Sequence, residues 1–400
     1  MGILGLSKLL YEKAPGAFKE QELKNYFGRY IAIDASMSIY QFIIAMKGFQ
    51  DGQGIELTNE NGEVTSHLNG LFYRTLRMVD EGLKPIYVFD GAPPKLKESE
   101  LESRREKANT AEKEFERAKE EGDDALMEKM SKRTVRVTSN QINDCKKLLE
   151  LMGIPVVQAP SESEAQCAEL VRKGKAWAVG TEDMDALTFG SNIMLRHLNY
   201  SDTKKRPIAE IHLNQVLHQT GLSMDQFIDL CILLGCDYVP KIHGIGPQKA
   251  WEGIQKYGSI EGLLENLDVS KYHVPSGFVF KEARDFFKHP DVTPGEEVSI
   301  QFKEPDEEAL THFLVNEKLF NLERVTKGIS RLKESLKKKT QGRLDNFFTI
   351  KPILKTDTSQ SLAGSKRVRN EENGKPFQLS GTLRKASLGH KKSVKRMKPN

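Results

Sequence analysis

Three short runs of β-branched and aromatic residues each lead into an acidic residue. The runs and their acids are 30–33 with Asp34, 86–89 with Asp90, and 176–179 with Asp183. Helical periodicity lies between them, for example over 68–79 and 140–152. Strands that alternate with helices predict an α/β fold with a mostly parallel central sheet flanked by helices. In such sheets functional sites lie at the carboxyl ends of the strands, where these acids fall.

Residues 95–136 interrupt this alternation. The segment is rich in Lys, Arg and Glu and has few apolar positions. It predicts one or two exposed helices without a core face of their own. A solvated helical insertion with no partner is the competing interpretation.

A glycine-containing turn separates two further helical patterns, 224–235 and 247–257. Gly244 and Gly246 stand in this turn, and Pro247 suits the first position of the second helix. The pattern predicts a helix–hairpin–helix motif, whose backbone N–H groups can hold a phosphate. An ordinary αα-hairpin stays open as the alternative.

The composition of the 400 residues is that of a globular protein, with 38% hydrophobic and 29% charged residues. No apolar run reaches 18 residues and the chain starts without a basic-then-apolar leader, so we expect neither a membrane span nor secretion. The cysteines form no CxxC pair, which predicts reduced thiols. They are Cys145, Cys167, Cys231 and Cys236.

Charge is distributed unevenly along the chain. Residues 341–400 contain 14 Lys and Arg against 4 Asp and Glu, whereas the preceding 340 residues carry a small excess of acids. From about residue 351 the chain is polar and lacks periodicity, which predicts a disordered basic tail. Such a tail favours a polyanion partner or a nuclear import signal, and a solvated tail without a partner is the alternative.

Seven acidic residues are candidates for a metal cluster. They are Asp34, Asp90, Glu162, Glu164, Asp183, Asp185 and Asp237. Like charges held together repel unless a cation neutralises them, and carboxylate oxygens suit Mg²⁺ or Mn²⁺. Two such ions about 4 Å apart can flank a phosphodiester.

Each acid also has a structural interpretation. Asp34 could cap the helix after its strand, and Ser161-x-x-Glu164 could form a capping box. Asp183 and Asp185 could be turn residues. The cluster is favoured because at least three strand ends carry an acid and no Cys/His metal motif competes with it.

Several long blocks of this sequence resemble the flap endonuclease family. In chain order they are MGILGLSKLL, IAIDASMSIYQF, YVFDGAPPKLK, APSESEAQCAEL, GTEDMDALTFG and LLGCDYVPKIHGIGPQKA. The resemblance extends from residue 1 to about 350. It implies a PIN-like 5′-nuclease fold with a helical gateway and cap insertion, and Mg²⁺-dependent cleavage of DNA near a single-strand/double-strand junction.

The resemblance also implies roles for individual residues. The seven acids would bind two Mg²⁺ ions, with Mn²⁺ as a substitute, and segment 95–136 would form the gateway for a 5′ single strand. The residues that would act in catalysis are Lys97, Arg104, Asp34, Asp90, Glu162 and Asp185. Lys97 and Arg104 would neutralise charge on the scissile phosphate.

A further set of residues would contact DNA. Its members are Gly2, Tyr40, Lys47, Arg74, Arg77, Arg104, Glu162, Gly235, Asp237, Gly244, Gly246 and Lys249. Tyr40 would stack on a base, although the residue type alone equally suits a core tyrosine. Segment 57–67, with Glu60, Glu63 and Thr65, resembles the pocket for a one-nucleotide 3′ flap. Lys241 replaces a small polar residue beside the hairpin's K⁺ site, which puts K⁺ binding in doubt.

Residues 341–348 fit the pattern Q-x-x-[ILM]-x-x-F-F. Gln341, Leu344, Phe347 and Phe348 occupy its defined positions. One 3₁₀ turn would place Leu344, Phe347 and Phe348 on one side. The resemblance implies that this segment binds the sliding clamp PCNA, as its counterpart in the family does. The alternative is a hydrophobic foot that packs back on the core. The basic run 391–398 suggests recognition by a nuclear import receptor, or added affinity for DNA.

These observations predict the following organisation. The parts are an N-terminal nuclease region 1–107, a gateway 95–136, an internal nuclease region 138–260 that includes the hairpin motif 224–257, a C-terminal core part 261–340, a clamp box 341–350 and a tail 351–400. The predicted protein is a monomeric nuclear enzyme, with the mitochondrion as a second compartment. It would remove 5′ flaps during Okazaki fragment maturation and base excision repair, and would also act as a 5′–3′ exonuclease. A catalytically silent DNA- and clamp-binding scaffold is the main rival from another class.

Overall fold

The structure is a computed structural model that describes residues 2–46, 48–50, 53–55, 62–198, 206–268 and 270–337. Nine strands lie in these ranges. They are β1 (Phe18–Gln21), β2 (Tyr30–Asp34), β3 (Gly48–Gln50), β4 (Gln53–Ile55), β5 (Lys84–Phe89), β6 (Val156–Gln158), β7 (Ala178–Gly180), β8 (Ile193–Arg196) and β9 (Ile208–His212).

Seven of these strands form one sheet in the order β1-β9-β8-β7-β2-β5-β6. The five strands from β8 to β6 run parallel, and β9 pairs antiparallel with both β8 and β1. Strands β3 and β4 form a separate antiparallel pair. The predicted mostly parallel α/β architecture is therefore confirmed.

Fifteen α-helices accompany the strands. They are α1 (Leu6–Lys13), α2 (Ala35–Met46), α3 (Ser66–Asp80), α4 (Glu98–Glu121), α5 (Asp124–Arg133), α6 (Ser139–Leu151), α7 (Ser163–Arg172), α8 (Asp185–Thr188), α9 (Leu213–Thr220), α10 (Met224–Leu234), α11 (Pro247–Tyr257), α12 (Ile260–Glu265), α13 (Phe280–Lys288), α14 (Glu307–Thr311) and α15 (Leu322–Lys337). A π-helical turn, His312–Glu317, follows α14.

Helices cover both faces of the sheet, because successive side chains of a strand point to opposite faces. Along β2, Ala32 packs into one apolar cluster and Ile31 and Ile33 pack into the other. The first cluster includes buried residues of α1 and α7 to α13. The second includes residues of α2, α3, α6, α14 and α15. Burial on both faces explains why the central strands are continuous apolar runs.

The charged segment 95–136 forms α4 and α5, which pack on each other. Ala111 and Ala118 of α4 are buried, as are Met127 and Met130 of α5. The expectation that these helices have no core face was wrong, because the pair shares a small apolar seam. The seam is hard to recognise in the sequence, because its few alanines and methionines are widely spaced among charged residues.

The remaining general predictions concern thiols and membranes. All four cysteines are free, and Cys145, Cys167 and Cys231 are buried. Among the described helices, none combines the length and the apolar character that crossing a bilayer would require.

Candidate active site

The carboxyl ends of four neighbouring parallel strands place the predicted acids at one edge of the sheet. Asp34 ends β2, Asp90 follows β5, Glu162 and Glu164 follow β6, and Asp183 and Asp185 follow β7. Asp237 comes from the loop after α10. Six of the seven line one cavity, and the seventh, Asp185, is buried close to it.

Asp34 is held by three groups that fix its carboxylate. Its Oδ1 accepts from the Met37 N–H at 3.0 Å and from the Ser163 hydroxyl at 3.2 Å, and its Oδ2 accepts from the Thr181 hydroxyl at 3.0 Å. The Met37 bond is the helix-capping contact that the sequence allowed for Asp34. Capping and metal binding are thus compatible roles, because Asp34 also lines the cavity.

The acidic pairs lie at the start of helices rather than within them. The N-cap of α7 is Glu162 rather than Ser161 and no side chain caps the helix, so the Ser161-x-x-Glu164 capping box is not formed. Asp183 Oδ1 accepts from the Asp185 N–H at 3.0 Å, as in a turn. Asp90 Oδ1 accepts from the Ser163 N–H at 2.9 Å. In each pair the first acid precedes the helix and the second lies in its first turn, so the pair does not lie within a regular helix.

Lys97 and Arg104 lie among the acids. The Lys97 ammonium is 2.5 Å from Glu162 Oε2 and 3.8 Å from Asp237 Oδ2. Arg104 donates from Nη2 to Asp237 Oδ2 at 2.5 Å and from Nε to Glu100 Oε1 at 3.0 Å. The end of one exposed helical segment therefore delivers two cations to the acidic floor of the cavity.

Burial and mutual repulsion disfavour ionisation of the carboxylates. Burial, followed by the charge of Asp90, raises the pKa of Asp34 to about 7. Burial also raises the pKa values of Glu164 and Asp185 well above the usual range, with Asp34 and Asp183 respectively as the next cause. Burial lowers the pKa of Lys97, but the charge of Glu162 and its other acidic neighbours outweighs it, so the pKa is raised.

The donor set fits divalent metal ions. Carboxylates that repel one another are relieved by a shared cation, and hard oxygen donors suit Mg²⁺ and Mn²⁺. Asp185 Oδ1 is buried without a hydrogen-bond partner. Within the described ranges, however, no three His, Cys, Asp or Glu side chains are arranged to hold one ion as they stand. Lys97 and Arg104 engage two of the acids, so metal binding requires side chains to rearrange.

Gly2 lies against the same cluster. A Cβ at this position would lie 1.8 Å from Asp183 Oδ1 and 2.9 Å from Asp185 Oδ1, and the residue has φ of 70°. Only glycine fits there without displacing an acid. The chain start is thus placed beside the acids, as its predicted contact with DNA requires.

Helices α4 and α5 form the far wall of the cavity, which has a volume of about 1110 Å³. Its basic wall residues include Arg105, Lys107, Arg133 and Arg136, which face the acidic floor. Tyr40 of α2 is half-buried and lines the same space. The cavity therefore combines an acidic floor, a basic wall and an aromatic side chain.

The predicted hairpin joins α10 to α11. Gly235 has φ of 108° after the last residue of α10, and Gly244 has φ of 85°. Gly246 is the N-cap of α11, and Pro247 begins the helix as expected. The Lys249 ammonium lies 3.1 Å from the Gly244 carbonyl and 4.8 Å from the centroid of the Tyr272 ring, so it also braces the turn.

The other predicted DNA-contacting residues have different surroundings. Arg74 and Arg77 lie on α3, and the Arg74 guanidinium stacks over Phe42 at 4.6 Å. Burial, the larger cause, lowers the pKa of Arg74. Lys47, Glu60 and the clamp-box residues Gln341, Leu344, Phe347 and Phe348 lie outside the described residues.

Two groups of supporting residues escaped sequence analysis. Ser163 and Thr181 hydrogen-bond Asp34, and their positions next to acidic pairs were the signal that could have identified them. The second group is an aromatic cluster that comprises Phe189, Tyr238, Phe286 and Phe287. Its ring centroids lie 4.7–6.5 Å apart. Phe189 closes α8 and Tyr238 follows Asp237, so α13 supports the segments that carry two of the candidate metal ligands, Asp185 and Asp237.

Comparison with known proteins agrees with this geometry. The models of the XPG N-terminal domain and the XPG I-region match residues 1–111 and 153–237. The chain is 72% identical to "Flap endonuclease 1" of Leishmania infantum, over 99% of this chain and 100% of that protein. It is 70% identical, over the same shares, to "Flap endonuclease 1" of Trypanosoma cruzi.

A solved structure supports the same assignment. The flap endonuclease-1 of Methanococcus jannaschii aligns with a TM-score of 0.61 and 34% identity, over 80% of this chain and 96% of that one. The fold is therefore the expected 5′-nuclease fold. With near-complete coverage by relatives of such high identity, the chain belongs to the flap endonuclease family of metal-dependent DNA nucleases.

Proposed function

We propose that this protein is a structure-specific 5′ flap endonuclease that hydrolyses a DNA phosphodiester near the single-strand/double-strand junction with the help of two Mg²⁺ ions. The observation that supports the proposal is the cavity in which α4 and α5 face six of the seven acids. Its dimensions and basic wall suit a single strand. The absence of a base-reading motif favours recognition of junction shape rather than sequence.

The residues of the chain would divide the chemical work. Asp34, Asp90, Glu162, Glu164, Asp183, Asp185 and Asp237 would hold the ions, with Mn²⁺ as a substitute for Mg²⁺. When bound, the ions would activate water for attack and stabilise the attacking and leaving oxygens. Lys97 and Arg104 would exchange their carboxylate partners for the scissile phosphate and neutralise its developing charge.

The remaining contacts would position the DNA. Tyr40 would stack on a base beside the scissile bond, and Arg74, Arg77 and Lys47 would neutralise phosphates of the cut region. The turn Gly235–Gly246, together with Lys249, would hold the duplex by its backbone. Glu63 and Thr65 would belong to the pocket for a short 3′ flap. We do not assign K⁺ to the hairpin, since the side chain of Lys241 lies beside Gly235.

The proposed setting is DNA replication and base excision repair. Residues 341–348 would bind the sliding clamp PCNA, and the basic run 391–398 would be read by a nuclear import receptor. The protein would act as a monomer in the nucleus, and in the mitochondrion as a second compartment. Truncation before Gln341 should leave intrinsic cleavage unchanged and remove stimulation by the clamp, and persistent stimulation would rule out this box.

The decisive experiment is cleavage of a double-flap DNA labelled on the 5′ flap, in parallel with a nicked duplex and a free single strand. We expect one dominant product, released near the junction with Mg²⁺, and little cutting of the single strand. Equal mononucleotide release from the nick and the flap would favour an exonuclease. Junction binding without cleavage in Mg²⁺ or Mn²⁺ would favour the scaffold.

A further inference from the structure

A second cavity, of about 920 Å³, opens beside the active site between α1 and α2. We call it the α1 groove and define it by Leu4, Lys8, Tyr11, Met37, Gln41 and Arg196. Among the described residues only four large hydrophobic side chains are exposed, and two of them, Leu4 and Tyr11, line this groove. Leu4 is 57% exposed and Tyr11 is 62% exposed.

The periodicity of α1 explains which of its residues face outward. Leu6, Leu9 and Leu10 are buried against the core. Lys8 and Tyr11 are three positions apart on α1 and share its opposite face, and Leu4, which precedes the helix, lines the same groove. Packing of α1 against the core does not require apolar side chains there. Single exposed apolar residues are common, but two that meet in one groove indicate a binding surface.

Two cations accompany the exposed aromatic ring. Lys8 is exposed and forms no ion pair with any residue that the structure describes. Arg196 is oriented by Glu182, whose Oε2 accepts from Nε at 3.1 Å, and by the Ser7 hydroxyl at 2.9 Å from Nη1. Arg196 and Glu182 thus balance each other, and among the described residues that line the groove the other charged side chains are Lys8 and Glu12.

The groove adjoins the active-site cavity. Met37 lines both spaces, and its backbone N–H binds Asp34. Glu182 immediately precedes Asp183, so the floor of the groove starts at the acidic cluster. A polymer whose phosphodiester lies over these acids can extend directly into the groove.

We propose that the α1 groove binds a strand of the DNA substrate next to the scissile phosphodiester, with a base stacked on Tyr11 and phosphates beside Lys8 and Arg196. The proposal rests on the proposed function and adds a contact surface to it. An aromatic ring between two cations suits a nucleic acid strand because every base has a π-face. A DNA strand is favoured over a peptide partner because the groove shares Met37 with the cavity that is proposed to bind DNA.

The first test measures affinity for double-flap DNA by fluorescence anisotropy in an Asp185→Asn background, which prevents cleavage. Tyr11→Ala should weaken binding about tenfold, whereas Tyr11→Phe, which keeps the ring, should stay within about twofold of the parent. Lys8→Ala should lower the slope of log affinity against log salt concentration by about one. Leu322→Ala and Lys327→Ala, equally exposed on α15, are matched controls and should change neither quantity.

A second test is independent of stability. A photoreactive p-benzoylphenylalanine in place of Tyr11 should crosslink to the DNA of the double-flap complex, and the same group in place of Leu322 should not. The proposal is overturned if Tyr11→Ala binds DNA as tightly as the control variants do. It is also overturned if the photoreactive group at position 11 does not crosslink to DNA. Crosslinking by a protein that does not cut flaps would instead refute the proposed function alone.

Discussion

The ammonium of Lys97 lies 2.5 Å from Glu162 Oε2, and both side chains are largely buried. A cation proposed to act on the scissile phosphate is therefore held by an acid proposed to bind metal. A metal ion would compete with Lys97 for Glu162, and the substrate phosphate would compete with Glu162 for Lys97. Binding of either ligand would therefore release the other member of the pair. The ion pair with Glu162 thus keeps Lys97 close to its proposed point of action without leaving the charge unpaired.

Lys97→Met should reduce single-turnover cleavage of double-flap DNA by about 10²- to 10³-fold, since one preorganised positive charge is lost. DNA affinity should change by much less, because other basic residues hold the substrate. Lys97→Arg keeps the charge and should recover part of the rate. A Lys97→Met rate within about twofold of wild type would contradict the catalytic role.

Asp185→Asn should abolish cleavage and spare DNA binding, yet make the metal-free protein more stable. Asp185 is buried, its Oδ1 has no hydrogen-bond partner, and its pKa is raised first by burial and then by Asp183. Removing the charge relieves both penalties. Thermal unfolding in a chelator and in Mg²⁺ checks this, since wild type should gain more from Mg²⁺ than the variant. Equal metal-induced shifts in both proteins would argue against Asp185 as a ligand.

His67 predicts a loss of stability in mild acid. Burial, the largest cause, lowers the pKa of His67 from 6.5 to about 4. The charge of Asp144 raises this pKa and the charge of Lys318 lowers it further, but neither outweighs burial. The unfolded chain then binds more protons than the folded one between pH 4 and 6.5, so the free energy of unfolding falls as pH falls through this window. The contribution is at most about 3 kcal/mol.

Urea titrations of wild type and His67→Gln across this pH range isolate the effect. The variant should be less stable at neutral pH but show a weaker dependence on pH, since Gln does not titrate. Parallel pH profiles for the two proteins would show that His67 contributes nothing. Because His67 lies outside the metal cluster, the result should not depend on Mg²⁺.

Arg284→Ala should destabilise the protein by about 2–4 kcal/mol, since it leaves a buried carboxylate without its partner. The guanidinium of Arg284 binds Asp229 at 2.6 and 2.8 Å and Glu261 at 2.7 and 2.8 Å, and so connects α13 to α10 and α12. The exposed pair Lys327–Glu323 is the control, and Lys327→Ala should cost less than about 0.5 kcal/mol. Chemical denaturation measures both, and equal effects would refute the assignment.

Phe287→Leu should weaken metal binding and also lower stability. Phe287 is buried and packs on Phe189 at 5.0 Å and Tyr238 at 5.1 Å, the neighbours of α8 and Asp237. A looser contact should raise the Mg²⁺ concentration for half-maximal cleavage by several fold, with the maximal rate less affected. Val325→Ala, in the opposite core, is the control for stability alone. An unchanged metal requirement in Phe287→Leu would leave only a packing role.

The sequence by itself determined the central sheet and its acidic edge. Runs such as 30–33 and 86–89 are apolar on both faces because helices cover both faces, and parallel strands place their carboxyl ends together. Asp34, Asp90 and Asp183 could therefore be assigned to one edge from the sequence alone, whereas strand β6 before Glu162 was not predicted. The hairpin was also predictable from the sequence, because Gly244, Gly246 and Pro247 are local signals of a turn followed by a helix start.

Only the tertiary structure decided contacts between residues that are distant in the chain. Lys97 meets Glu162 and Asp237 across 65 and 140 positions, and no local pattern encodes such distances. Three further features depend likewise on how elements pack. They are the seam between α4 and α5, the aromatic cluster that includes Phe287 and Tyr238, and the α1 groove. Periodicity records which face of an element is buried, whereas the identity of the neighbour is set by the packing of the whole core.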